Sequence, residues 1–329
     1  MNRTARIAAT AGAFVVTGLA ATVLNGRAQS ARRLRRGEDV AFGSVHSTPV
    51  VVTAADGVSL NVEVDEADRK TPVVVFVHGW ACTLDTWHYQ RLAMRGEVRL
   101  VFVDQRSHGG SGRSDASNSS LHDLASDLAA VLADVAPRGP VILVGHSMGG
   151  MSIMQLAMDD PDLFERRVRG VVLIGTSSGR LMRGSPALRR LMPLLRVASP
   201  LLEWGRAFNS YSIIKHWGLG PQAHERHVDM TNEMLLQVPV QVLTDFHSNF
   251  VGVDLTPGLK VIAQAHTTIV CGTADQLTPM SHSRRLAKGI DGARLVVVEG
   301  AGHMVMFEEH EQVTAAIEDV VSQVREAME

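Results

Sequence analysis

Residues 141–150 read Val-Ile-Leu-Val-Gly-His-Ser-Met-Gly-Gly. An apolar, strand-like run leads directly into Gly145-His146-Ser147-Met148-Gly149, and a helical pattern follows over 148–158. This G-x-S-x-G segment has a physical reading. A serine on a tight turn between strand and helix has its hydroxyl pushed out beyond the strand end, and small residues two positions either side let the backbone turn without clashes. The N–H of Met148, at the helix start, points toward the same space. The motif alone is common by chance. The strand before it and the helix after it make it a nucleophile elbow rather than a structural turn.

Similar apolar runs recur on both sides: 72–78 (PVVVFVH), 99–104 (RLVFVD), 170–175 (GVVLIG), 267–272 (TTIVCG) and 294–299 (RLVVVE). They read as strands buried on both faces of a parallel sheet. Helical periods lie between them, at 120–135 and 148–158, and 311–328 closes the chain as an amphipathic helix. The alternation predicts an α/β fold with a doubly wound, mostly parallel sheet. Upstream, 49–53 and 59–64 flank Ala54-Ala55-Asp56-Gly57 and read as a hairpin. From 177 to 264 no strong strand occurs. Helical patterns at 187–197, 201–208, 223–237 and 240–250 predict a helical cap inserted between sheet strands. The expected organisation is therefore an N-terminal segment with a basic linker (1–36), a first core part (49–176), the cap (177–264) and a second core part (265–329).

A serine hydroxyl needs a base, and the base needs an acid to hold its tautomer. His303 follows the last strand in Gly300-Ala301-Gly302-His303, and Asp275 follows the preceding strand in Gly272-Thr273-Ala274-Asp275. Ser147, Asp275 and His303 thus leave one sheet edge, where open α/β sheets place their sites. The competing reading makes Asp275 a turn residue before Thr278-Pro279 and His303 an ordinary loop histidine. An acyl-transfer site also needs donors for a developing oxyanion. His78-Gly79-Trp80 ends an early strand, so the backbone N–H groups of Trp80 and Met148 are the candidate donors. His78, Gly79 and His146 are candidates for the pocket. His146 has packing as its alternative role.

These motifs, with Trp87 and Asp104-Gln105-Arg106-Ser107-His108-Gly109, resemble the α/β-hydrolase-fold superfamily, in particular its capped, single-domain esterase, lipase and epoxide-hydrolase-like members. The resemblance covers about 49–328 outside the cap. It implies that fold, a Ser147–Asp275–His303 triad and a cap. The departures are informative. Epoxide hydrolases and haloalkane dehalogenases of the family use Asp as nucleophile, where this chain has Ser147. Epoxide hydrolases also use two cap tyrosines, and only Tyr211 falls in this cap. Ser107 replaces the first glycine of the usual Arg-Gly-x-Gly. Asp104 and Arg106 are expected to fix their loop.

Composition narrows the partners. The 329 residues carry 32 Lys plus Arg against 34 Asp plus Glu, a net charge of -2. So even a balance gives no footprint for nucleic acid, and aromatics at 5% are too few for a base-stacking surface. Two cysteines, Cys82 and Cys271, make neither a disulfide framework nor a zinc-ligand spacing. His224 and His227 lack further ligands at a clear spacing, and 109–113 lacks the P-loop Lys-Ser/Thr. No metal and no cofactor is expected.

The N-terminus is a separate object. Residues 7–24 carry no charge, with Arg3 and Arg6 before them and Arg27, Arg32, Arg33, Arg35 and Arg36 after. As a helix this run would reach about 27 Å, just under a hydrocarbon core of ~30 Å. We read it as a signal-anchor and the protein as membrane-associated. A cleaved secretory signal, with Gly26 and Ala28 at the cleavage positions, comes second, and a tail on a soluble protein third. The arginine excess after the run favours keeping that side cytoplasmic, by a small margin.

The expected function is hydrolysis of a carboxylic ester, lipid-like or acyl, through an acyl-enzyme. Thioesterase, C–C hydrolase and cofactor-free perhydrolase chemistry use the same triad and stay open. So does a non-catalytic ligand-binding scaffold.

Overall fold

A computed structural model describes residues 40–68, 72–179 and 210–329, together with Ser30 and Leu181. Eight strands form one sheet in the order β1-β2-β4-β3-β5-β6-β7-β8. β1 (Pro49–Thr53) and β2 (Ser59–Asp65) make the expected antiparallel hairpin, with Gly57 at φ +88° in its turn. β2 lies antiparallel to β4 (Leu100–Val103). From there β4, β3 (Val73–Val77), β5 (Val141–His146), β6 (Val168–Ile174), β7 (His266–Gly272) and β8 (Arg294–Val298) run parallel.

Every residue of β3, β4 and β5 is buried, because helices cover both faces. Alternate residues of β3 enter different cores. Val73, Val75 and Val77 pack with α2 (Leu121–Val135) and α3 (Met148–Asp159). Val74 and Phe76 pack with α1 (His88–Met94) and α8 (His310–Glu326). Each fully buried large apolar side chain contributes roughly 1.5–3 kcal/mol relative to exposure. α2 starts on a capping box. The Ser120 side chain accepts the Asp123 N–H, and the Asp123 carboxylate accepts the Ser120 N–H. Its buried residues Leu121, Leu124, Leu128, Val131 and Leu132 repeat at helical spacing.

Local departures from expectation have local causes. β6 begins at Val168, before the anticipated 170, because exposed Arg169 between buried Val168 and Gly170 interrupts the apolar run. The helix expected over 240–250 is α6 (Val240–Phe246) followed by a 3₁₀ turn, His247–Phe250, before Gly252 at φ +72°. Helices beyond the expected ones include α1 and α7 (Met280–Gly289). α7 buries only Ser283 and Leu286.

Within 177–264 the described part is helical over 210–217 (α4), in α5 (Glu225–Gln237) and in α6. Its entry and exit are joined: Gly179 bridges Asp254, and Leu255 N–H donates to the Ser178 carbonyl at 2.9 Å. The helices expected at 187–197 and 201–208 lie outside the described residues, as does the uncharged run 7–24. Among the described residues, no helix is long and apolar enough to cross a membrane.

Candidate active site

The turn between β5 and α3 holds Ser147 at φ +51°, ψ -114°. A non-glycine residue in such a conformation costs on the order of 1–3 kcal/mol, so its surroundings must impose it. Ser147 N–H donates to the Ile174 carbonyl at 2.9 Å, and Thr176 Oγ1 donates to the Ser147 carbonyl at 2.6 Å. The flanking glycines let the turn pack. A Cβ on Gly149 would lie 2.2 Å from the Val77 carbonyl oxygen, and one on Gly145 would lie 2.7 Å from the Gly150 nitrogen.

The loop after β3 lies against this turn. A Cβ on Gly79 would stand 3.1 Å from the Ser147 Cβ and 2.8 Å from His146 Nδ1. Fully buried His78 sets the loop's path. Its Nε2 accepts the Gln105 N–H at 3.0 Å, so the proton sits on Nδ1, which donates to the Gly79 carbonyl at 2.7 Å. Burial lowers its pKa to about 4, so it stays neutral. Gln105 donates its side-chain amide to the His78 carbonyl at 2.6 Å and accepts from Ser152 Oγ at 2.9 Å. Asp104 and Arg106 secure the loop that carries Gln105. Asp104 accepts the Leu84 and Gly110 N–H groups and the Asn61 amide, while Arg106 makes a two-pronged contact to Asp127 and reaches Asp56. Among the described residues, neither Trp80 nor Met148 donates its backbone N–H to another group.

Asp275 and His303 meet at the same sheet edge. His303 Nδ1 lies 2.9 Å from Asp275 Oδ2. The Asp275 carboxylate also accepts the N–H groups of Leu277 and Thr278, each at 2.8 Å, and Thr278 Oγ1 at 2.7 Å. Burial alone would raise its pKa. The His303 charge and these donors outweigh burial and bring it down to about 2. The two loops are stitched together where Ala274 N–H donates to the Ala301 carbonyl at 2.9 Å.

His146 supports the pair from the elbow side. Its Nε2 donates to the His303 carbonyl at 3.1 Å, and the two rings are 4.7 Å apart. Burial and the neighbouring His303 push its pKa well below the ordinary value. Nδ1 therefore carries no proton, and it has no hydrogen-bond partner among the described residues.

Ser147, His303 and His146 open into a cavity of about 350 Å³. Its other walls are mostly apolar: Trp80, Ile213, Trp217, Leu235, Phe250 and Leu277 are examples. Cys82 also borders it, and burial pushes that thiol up to about 12. The structure thus brings together Ser147, Asp275, His303, Trp80, Met148 and His146. His78 and Gly79, expected as pocket residues, lie off the cavity wall. Their polar atoms are turned toward Gln105 and the loop backbone, and they support the wall from beneath. His224 and His227 lie in the cap with rings 5.9 Å apart, the latter edge-on to Tyr89. Sequence reasoning missed Gln105, Thr278 as partner of Asp275, the cavity residues of 210–217, and Glu308. Glu308 accepts two backbone N–H groups, and burial first, then Asp275 and Glu309, raises its pKa to about 7.

Comparison with known proteins agrees with this architecture. The profile of the alpha/beta hydrolase family matches residues 74–317, and the chain belongs to that family. It is 27% identical over 249 residues, 74% of its length, to the dihydrolipoyllysine-residue acetyltransferase component of the acetoin cleaving system of Pseudomonas putida. It is 35% identical over 117 residues, 35% of its length, to the sn-1-specific diacylglycerol lipase ABHD11 of Mus musculus. The chain spans 61% and 37% of the lengths of these two curated relatives. Among solved structures, a thermophilic esterase from Thermogutta terrifontis aligns with a TM-score of 0.70 at 24% identity, covering 84% of this chain and 99% of that one. At that identity the likeness speaks for the fold.

Proposed function

We propose that this protein is a serine hydrolase that cleaves carboxylic esters. One observation carries the reading: an aspartate–histidine pair at 2.9 Å opens into the same apolar cavity as a serine held at positive φ. Ser147 Oγ attacks the ester carbonyl while His303 takes its proton. The N–H groups of Trp80 and Met148 stabilise the oxyanion. His303 then gives the proton to the departing alcohol, which leaves an acyl-enzyme. Water, deprotonated by His303, releases the acid and restores Ser147. Asp275 holds the imidazole tautomer and stabilises its charged form. The apolar walls favour an acyl chain over a polar acid group.

The uncharged run 7–24, with arginines on both sides, supports tethering at a membrane, which would set the cavity beside lipid substrates. Carbonate extraction of membranes carrying the full chain, beside a chain lacking 1–36, tests this. A processed N-terminus in the culture medium would instead mean secretion.

Fluorophosphonate labelling of the wild type and of Ser147→Ala tests the chemistry, together with p-nitrophenyl esters of two to sixteen carbons. Labelling lost in the variant, with turnover across the series, is the expected result. A folded wild type that neither labels nor turns over would overturn the reading in favour of a ligand-binding scaffold.

A further inference from the structure

The cap and the His303 loop meet on bare backbone. Met304 N–H donates to the Gly218 carbonyl at 3.1 Å. A Cβ on Gly220 would lie 2.0 Å from the Gly300 carbonyl oxygen, and one on Gly302 would lie 2.4 Å from the Gly220 nitrogen. Only glycines permit so close an approach. One side chain spans this seam. Glu308, at the end of the short helix Val305–Glu308, accepts the Gly302 N–H through Oε1 at 2.9 Å and the Gly220 N–H through Oε2 at 2.7 Å.

The two bonded segments do different things. Gly302 immediately precedes His303. Gly220 ends the turn that follows the helical residues 210–217, and Ile213, Ile214, Trp217 and Gly218 of that stretch line the cavity. A single carboxylate therefore holds both the loop that presents the imidazole and the turn that seats one cavity wall. Neither bond reaches the cavity, and Glu308 is not among its lining residues. When Glu308 is ionised, its two N–H donors make charge-assisted bonds, roughly twice as strong as neutral ones. Both N–H groups come from glycines that leave no room for a side chain at the seam.

We infer that Glu308 is a positioning residue that couples the seating of the cap wall to the placement of His303. Acyl-chain contacts at Ile213 and Trp217 press on the wall, and through Gly220, Glu308 and Gly302 that pressure reaches the loop bearing the imidazole. A wall displaced outward pulls on the same carboxylate that orients Gly302. The inference rests on the reading of His303 as the base, but the coupling itself can be measured without it.

The test is Glu308→Gln in the full chain. The substitution keeps the size but turns an amide NH₂ toward one of the two N–H donors. Hydrogen–deuterium exchange is followed in peptides covering 218–220 and 300–304. Steady-state kinetics on short and long p-nitrophenyl esters run alongside. Expected are faster exchange in both segments together and a kcat lower by roughly 10- to 100-fold, with KM for the short ester within about threefold. The long-chain ester should lose more kcat than the short one, because its wall contacts no longer reach His303. A purely structural role would not produce that chain-length dependence. Exchange that rises in one segment only, or a kcat unchanged on both esters in a folded variant, would overturn the coupling. If Glu308→Gln does not fold by circular dichroism, the same readings are made on Glu308→Asp, whose shorter arm reaches one donor at a time. Labelling of the wild type with fluorophosphonate separates the two readings. No labelling overturns the assignment of the base, while labelling with uncoupled exchange overturns the role of Glu308.

Discussion

Asp275 shows how much a single residue's surroundings decide. Four contacts converge on its carboxylate: His303 Nδ1, Thr278 Oγ1 and two backbone N–H groups. They lower its pKa to about 2 against the pull of burial. A depressed carboxyl contributes stability that is present above its ordinary value and lost as the pH falls through about 2. Asp275→Asn should therefore cost about 2 kcal/mol at neutral pH. The gap between the two proteins in urea unfolding should narrow from pH 7 to pH 3. In activity, the proposed triad predicts a kcat loss on the order of 10⁴-fold for the same variant, because the amide favours the wrong imidazole tautomer. With its pKa at about 2, Asp275 itself should cause no loss of activity near pH 5, and the pH profile of kcat/KM checks this. His78 and His146 stay neutral because burial outweighs the groups around them.

At the scale of elements, the loop after β4 buttresses the site without touching it. Arg106 is 2% exposed and grips Asp127 through two bonds of 2.6 Å, with Asp56 and the Asn118 carbonyl on its other side. Gln105, next to it, holds the His78 carbonyl. Arg106→Leu leaves Asp127 buried and unpaired and should cost about 3–5 kcal/mol, read by chemical denaturation. The folded fraction should keep fluorophosphonate labelling, because Ser147 is held independently by Ile174 and Thr176. Strands were more legible than helices in this chain. The runs at 72–78 and 99–104 are apolar because both sheet faces are covered. α1 is hard to read in the sequence because it buries Gln90 and Arg91 in polar contacts, and α7 because it buries two residues of ten. A buried polar face leaves no hydrophobic period to read.

Across the whole molecule, the cap completes a cavity that the sheet edge begins. Ser147 and His303 come from the core, whereas Ile213, Trp217, Leu235 and Phe250 come from the stretch between β6 and β7. On the proposed reading, substrate size is set by residues distant in sequence from the chemistry. Leu235→Trp should move the chain-length optimum of the p-nitrophenyl series to shorter esters, with fluorophosphonate labelling of Ser147 retained. An unchanged optimum would place the acyl chain against another wall.

By itself, the sequence determined what short-range patterns encode. The strand–turn–helix around Ser147, the hairpin at Asp56-Gly57 and the strand ends preceding Asp275 and His303 each lie within a dozen residues, and the chain order of the candidates follows from them. Tertiary structure alone decided which groups surround those candidates. Gln105 beneath His78, the carbonyl of His303 on His146, and Gly220 on Glu308 are pairings between residues 27 to 157 positions apart. Their hydrogen bonds depend on where distant backbones come to rest once both sheet faces are buried, and no local period carries that information.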